Sequence, residues 1–295
     1  MKIDLHIHTI CSDGYLSPKE VIDEAVRNEV KTIAIADHDT IEAYSEELFK
    51  YSKNKQIQII TAVEISTIYK RVGIHVLGYN IDISNQIFKE QLNLIKNYRH
   101  DYLKKVANAL EKLGYFINLY ELDQIKSVTK AHIALDIIKN PKNENLLIKK
   151  FGHIPNKGEF IENIMNEGKP AYVKKTTVTP KQAANIIRQA GGKVVLAHPV
   201  AYKYENNLTD NDILQIVKSM NADGIEANYI YVDKNNNKIN DVKKWNEFAK
   251  KYNLQVTIGS DFHNDDGIRP KIGLLDENIK ISETDTNKII EWLLN

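Results

Sequence analysis

The chain has 295 residues, 40 Lys and Arg against 39 Asp and Glu, and one cysteine, Cys11. The resulting net charge of +1 argues against a protein whose main work is coating nucleic acid or an anionic membrane, and leaves room for a local basic patch. One cysteine excludes an intrachain disulfide and points to a reducing, cytoplasmic setting; no apolar run approaches the ~20 residues of a membrane span, and no signal-peptide pattern opens the chain.

A strand is predicted over Lys2–Ile7, "KIDLHI", followed by a helix opened by "SPKEVIDEAVRNE". Ser17 is its N-cap, Pro18 its first residue, and Glu20 completes a capping box. The apolar strand "TIAIAD" (32–37) and a helix through "TIEAYSEELFKYSKN" come next, then strands "IQIITAVEIS" (57–66) and "VGIHVLGYN" (72–80). Continuous apolar strands alternating with helices predict an α/β fold around a parallel sheet.

From Ser84 to Pro170 the rhythm changes. One long helical pattern closes at Gly114, and shorter helical segments are expected around 120–126, 131–139, 144–151 and 158–167. This divides the chain into an α/β domain, 1–83 with 171–295, and an all-helical insertion, 84–170. The insertion carries 14 Lys and Arg against 10 Asp and Glu, which suits either a solvated helix face or a lid over an anionic substrate. Alternation resumes with a helix at 180–190, strand "VVLAH" (194–198), a helix near 210–219, strand "GIEAN" (224–228), a helix near 239–252 and strand "QVTIGSDFH" (255–263).

The polar residues of these apolar strands fall at or near their ends. In "DLHIHTICSDG", His6 and His8 are two apart and so share one face of a strand. Alone, the pair fits either metal ligation or an edge strand with two hydrogen-bonded imidazoles. However, "IADHD" brings His38, "TAVE" Glu64, "GIHVLGY" His75, "VVLAHP" His198 and "TIGSDFH" Asp261 and His263. The C-terminal edge of parallel strands is where α/β active sites are built. Burying so many imidazoles and carboxylates without a cation is expensive. With Asp13 the set has nine side chains, enough for two or three divalent ions. Nitrogen and oxygen donors without thiolate suit Mn, Fe or Zn.

"DLHIHTICSDG", "IADHD", "VEIS", "IHVLGY", "LAHP" and "SDFH", in this order, resemble the PHP (polymerase and histidinol phosphatase) phosphoesterase superfamily. "KAHIA", "GKPAYV" and "GGKVVLAHP" resemble its branch of nucleotide 3′,5′-bisphosphate phosphatases and RNA 5′-end exonucleases. The resemblance implies a distorted TIM-like barrel of about seven parallel strands with a trinuclear centre. One ion would take His6, His8, Glu64 and Asp261, a second Glu64, His75 and His198, and a third Asp13, His38 and His263. Glu64, Asp261 and His263 are also assigned the catalytic role. The chemistry implied is hydrolysis of phosphate esters by metal-activated hydroxide, on small nucleotides or short oligonucleotide 5′ ends, with neither a membrane nor a stable duplex as partner. The alternatives are a histidinol-phosphate-type phosphatase, an amide hydrolase on a similar barrel, and a non-catalytic metal-stabilised binding module.

Substrate contacts are assigned to Lys130, His132 and Lys203. Lys130 stands where the resembled branch leads one to expect arginine, and lysine keeps the charge without the bidentate geometry. His132 either touches substrate or caps a helix. Ala201 occupies another position expected to be arginine, and Lys203 is the nearby replacement charge. Asp37 and Asp39 are expected to orient ligands. Glu226 is open between orienting a ligand, acting as general acid and forming a buried ion pair. Tyr98 and Tyr102 either stack a base or pack a helix.

Overall fold

The computed structural model describes residues 2–125, 128–233, 235–275, 279 and 281–295. Lys126, the last residue of the helical segment expected at 120–126, lies outside them. The strands are β1 (Lys2–Ile7), β2 (Val30–Ile35), β3 (Gln58–Ile59), β4 (Ala62–Tyr69), β5 (Val72–Tyr79), β6 (Lys193–Leu196), β7 (Gly224–Asn228), β8 (Tyr231–Val232), β9 (Lys238–Ile239) and β10 (Gln255–Ile258). The helices are α1 (Pro18–Arg27), α2 (Glu46–Asn54), α3 (Gln86–Lys112), α4 (Leu119–Asp123), α5 (Lys130–Lys139), α6 (Glu144–Phe151), α7 (Lys157–Phe160), α8 (Pro180–Gln189), α9 (Pro199–Asn206), α10 (Asp210–Met220), α11 (Val242–Lys251) and α12 (Glu283–Leu294). No helix among the described residues is long and apolar enough to cross a membrane.

The chain divides into two compact units, 1–93 with 178–295, and 94–177. The first holds two main sheets, in the orders β1-β2-β3 and β10-β7-β6-β5-β4, and the β8–β9 hairpin. β1, β2 and β3 are parallel, as are β6, β7 and β10. β5 runs antiparallel to both β4 and β6, which corrects the expectation of an all-parallel set. The reason is the link: Lys70 and Arg71 alone join β4 to β5, both at positive φ. A two-residue link can join only antiparallel strands.

Side-chain alternation along β2 sorts the cores. Ala34 and Ala36 pack with Leu5, Ala62, Leu77, Val195 and Ile258 in a cluster drawn from both sheets. Ile33 and Ile35 face the other way, against Val21, Ile22 and Ala25 of α1 and Leu48 of α2. The capping box of Ser17 and Glu20 starts α1 as its sequence requires. Single parallel bridges, Ile7 with Phe262 and His38 with Glu64, link the two sheets where their ladders stop. The fold is mixed α/β.

The second unit contains helices and no strand among its described residues. Tyr102, Leu103, Val106, Leu110, Tyr115, Phe160 and Met165 build its core. Tyr102 is therefore a packing residue, whereas Tyr98 is exposed.

Candidate metal centre

His6 on β1 and His8 just beyond its end are both buried, with their Nε2 atoms 3.1 Å apart. Asp261, just beyond β10, places Oδ1 3.5 Å from the Nε2 of His6 and 3.1 Å from that of His8. Glu64 on β4 places Oε2 3.4 and 3.3 Å from the same two atoms. Its other oxygen, Oε1, faces His75 Nδ1 at 3.2 Å and His198 Nε2 at 3.1 Å, and those nitrogens are 3.3 Å apart. A third group surrounds Asp13: His263 Nε2 lies 3.4 Å and His8 Nδ1 3.7 Å from Oδ1, and His38 Nε2 3.7 Å from Oδ2.

All nine side chains expected as ligands therefore meet in one place, with Glu64 at its middle. Two of them have a double position. His8 points its second nitrogen at the Asp13 group, and His38 places Nδ1 3.0 Å from Glu64 Oε2. His75 arrives from the reversed strand, so it lies near the start of β5 rather than at a C-terminal end.

A divalent cation fits this arrangement. Asp13 Oδ1, His38 Nδ1, Glu64 Oε2 and His198 Nδ1 are buried without a hydrogen-bond partner among the described residues, a costly state unless another ligand takes them. His6 Nδ1 lies 3.0 Å from Glu226 Oε1. A carboxylate only accepts, so Nδ1 carries a proton, and Nε2 is the nitrogen whose lone pair a cation would take in place of a proton. The donors are imidazole and carboxylate, as Mn, Fe or Zn accept.

The electrostatics agree. Burial alone would depress His6, yet Glu226, Glu64 and Asp261 hold it well above the usual imidazole range. His8 also resists burial and is pushed up to about 10 by Asp261 and Glu64. His198 is raised against burial by Glu64. For His38 burial wins, and its imidazole is held well below the usual range. Burial opposes ionisation of Glu64, Asp261 and Asp13, but the surrounding imidazoles keep all three carboxyls low.

The supporting residues explain the precision. Glu226 on β7 is buried; besides His6 it accepts the backbone N–H of His198 at 2.8 Å. That bond braces a strained residue, since His198 has φ 23°. Asp261 is likewise at positive φ, 53°, and its Oδ2 accepts from Tyr229 at 3.3 Å. Asp37 accepts from Thr9 N and Oγ1, both at 2.7 Å, and from Ser12 Oγ at 2.5 Å, which shapes the loop carrying Asp13. Asp39 instead accepts the backbone N–H of Ser66 at 2.8 Å. Two glycines are required by close approach. A Cβ on Gly259 would stand 2.2 Å from His6 Cβ and 2.5 Å from Glu226 Oε1, and one on Gly14 2.4 Å from the His8 carbonyl.

The expected substrate residues fare differently. Lys130 lies in the helical unit, half-buried, with Nζ donating to Asn166 Oδ1 at 3.0 Å. His132 accepts the backbone N–H of Thr129 at 3.1 Å, so it caps α5. A cavity of about 410 Å³ opens over the His38, Glu64, His75, His198, Asp261 and His263 side chains. α9 lines it with Ala201, Tyr202, Glu205 and Asn206, but not with Lys203. At 100° per residue those four share a face that excludes position 203, and Lys203 Nζ sits instead over the Tyr204 ring at 5.6 Å. The cavity's arginine is Arg269, in "GIRP", six residues past His263. Sequence reasoning missed it because a loop has no periodicity to show which way its side chains face.

A model of the PHP domain matches residues 4–189. A 5′-3′ exoribonuclease of Haemophilus influenzae is 31% identical over 89% of this chain and 90% of its own. A 3′,5′-nucleoside bisphosphate phosphatase of Chromobacterium violaceum is 26% identical over 88% and 87%. Among solved structures, an amidohydrolase from Chromobacterium violaceum with bound sulfate and no metal superposes with a TM-score of 0.70 at 25% identity, covering 91% of this chain and 90% of that one.

Proposed function

The chain belongs to the PHP domain family and is a metal-dependent phosphoesterase, and from that premise we propose that its substrates are nucleoside 3′,5′-bisphosphates or short oligonucleotide 5′ ends. The observation that carries the phosphoesterase part of this reading is the gathering of eight imidazoles and carboxylates around Glu64, with Asp13 Oδ1, His38 Nδ1 and Glu64 Oε2 buried there without a hydrogen-bond partner among the described residues. Two or three ions, Mn, Fe or Zn, would be held by His6, His8, Glu64 and Asp261; by Glu64, His75 and His198; and by Asp13, His38 and His263. Such ions supply an acidified water and positive charge for the phosphate oxygens.

The protein's own part is positional. Glu64 divides its two oxygens between two groups of imidazoles, which sets their separation. Glu226 fixes the tautomer of His6, and Tyr229 holds the outward oxygen of Asp261. Lys130, in the helical insertion 84–170, is proposed as a phosphate-binding residue. The two sheets, bridged at Ile7–Phe262 and His38–Glu64, are taken as one distorted (β/α)7 barrel.

The test is phosphate and nucleotide release by Mn-loaded protein from adenosine 3′,5′-bisphosphate and from a 5′-phosphorylated RNA oligomer. Histidinol phosphate is run beside them, and metal is counted on the same sample. Turnover of either nucleotide substrate is expected. Turnover of histidinol phosphate alone would refute the nucleotide reading, and bound metal with no turnover of any ester would refute catalysis.

A further inference from the structure

The cavity over the metal centre has a floor and a mouth of different character. Its floor is the ligand set, where Glu64 is 1% and Asp261 19% exposed. Beyond that floor it is lined by Tyr229, Glu205, Arg269 and the buried Tyr231. Tyr231 donates to Glu205 Oε1 at 3.0 Å, so that carboxylate is already engaged. Arg269 is the only Lys or Arg among the described residues lining the cavity, and its side chain is 55% exposed. Its one ion-pair partner among the described residues is Asp266, whose Oδ2 lies 3.7 Å from Nε. An exposed pair at that distance contributes little and is easily exchanged. Asp266 does something else well: its Oδ1 accepts the backbone N–H of Ile268 at 2.9 Å and of Arg269 at 2.8 Å. The loop is therefore fixed while the guanidinium fork at its tip has no hydrogen bond among the described residues.

We propose that Arg269 is the anchor for a second anionic group of the substrate, a phosphate other than the one hydrolysed. The inference rests on the phosphoesterase reading. A phosphate seated against the ligand set lies on the floor, whereas the guanidinium stands at the exposed edge. A planar fork at a rim suits bidentate capture of a phosphate. Without it the cavity would have no cationic side chain among the described residues that line it, and Glu205 would be its one carboxylate outside the ligand set. Arg269 thereby selects substrates with two phosphates over those with one.

The experiment compares adenosine 3′,5′-bisphosphate with p-nitrophenyl phosphate on Mn-loaded wild type, Arg269→Ala and Arg269→Lys, with metal content and Tm measured on each. The ratio of kcat/KM for the bisphosphate over the monoester should fall roughly tenfold or more in Arg269→Ala, through KM, and recover in part in Arg269→Lys. Equal losses on both substrates, or none, overturn the proposal. Calorimetric binding of the bisphosphate is measured in parallel, with a comparable rise in Kd expected in Arg269→Ala. If wild type turns over neither ester, the phosphoesterase reading fails, and this binding difference still decides the role of Arg269.

Discussion

Glu226→Gln removes one charge without changing shape, and the structure shows why it cannot be innocuous. Glu226 faces His6 Nδ1 with both oxygens, Oε1 at 3.0 Å and Oε2 at 3.2 Å, and Oε2 also accepts the backbone N–H of His198 at 2.8 Å. A glutamine has one accepting oxygen and one donating amide. If the oxygen stays with His198, the amide faces His6 Nδ1 and forces the proton onto Nε2, where a lone pair is needed. If the oxygen stays with His6, the amide meets the His198 N–H, donor against donor, and that strained residue loses its brace. Either way one ligand is misdirected. Loss of such an orienting carboxylate costs about 10- to 100-fold in metal affinity, or about 1.4 to 2.8 kcal/mol. The assay is calorimetric Mn titration of chelator-treated protein, with histidine ¹⁵N shifts to read the His6 tautomer. Unchanged affinity together with an unchanged His6 tautomer would refute the reasoning. Glu226→Asp keeps the charge but shortens the reach, and is expected to fall between the two.

Gly14→Ala drives a Cβ to 2.4 Å from the His8 carbonyl; the Asp13 loop must move, and mass spectrometry should count about one ion fewer per chain with activity down about tenfold or more. Asp261→Ala removes an oxygen facing both His6 and His8; activity should be abolished and bound metal lowered, and full activity would sink the ligand assignment. The raised histidines predict a pH dependence in metal-free protein. A folded pKa above the unfolded value contributes stability that is complete below about 6.5 and lost as pH climbs towards about 10, the position of His8. Tm of chelator-treated protein should therefore decline across that window. Manganese affinity should rise over it as the ion displaces fewer protons; affinity indifferent to pH would contradict this.

Much of the site was legible because period two in "HIH" and the polar ends of apolar strands are local signals. The capping box at Ser17 was legible for the same reason. Strand direction was not, because an apolar run has no polarity of its own. The clue was "YKRV", a link too short for a crossover, and its positive-φ residues are Lys70 and Arg71 rather than the Asn or Gly that announce such a turn. The run 57–66 was read as one strand, yet Ile60 and Thr61 divide β3, which pairs with β2, from β4, which pairs with β5. No turn residue marks that break. Lys203 was placed by proximity in sequence, and α9 turned it off the cavity face. Glu226 was visible as a buried acid at a strand end, but its two partners lie 220 and 28 residues away, beyond the reach of local patterning.

The two sheets of the first unit are joined by one bridge at each seam, and each seam runs through the candidate centre: Ile7 is flanked by His6 and His8, and the other bridge is His38 with Glu64 itself. Ions shared between His6, His8 and His38 on one side and Glu64, His75, His198, Asp261 and His263 on the other would act as rivets across both joints. Stripping the metal should then loosen the molecule along two lines rather than everywhere. Hydrogen–deuterium exchange is expected to speed up first at the amides that lock the seams, His8 to the Phe262 carbonyl and Asp39 to the Glu64 carbonyl, while the ladders within each sheet stay protected.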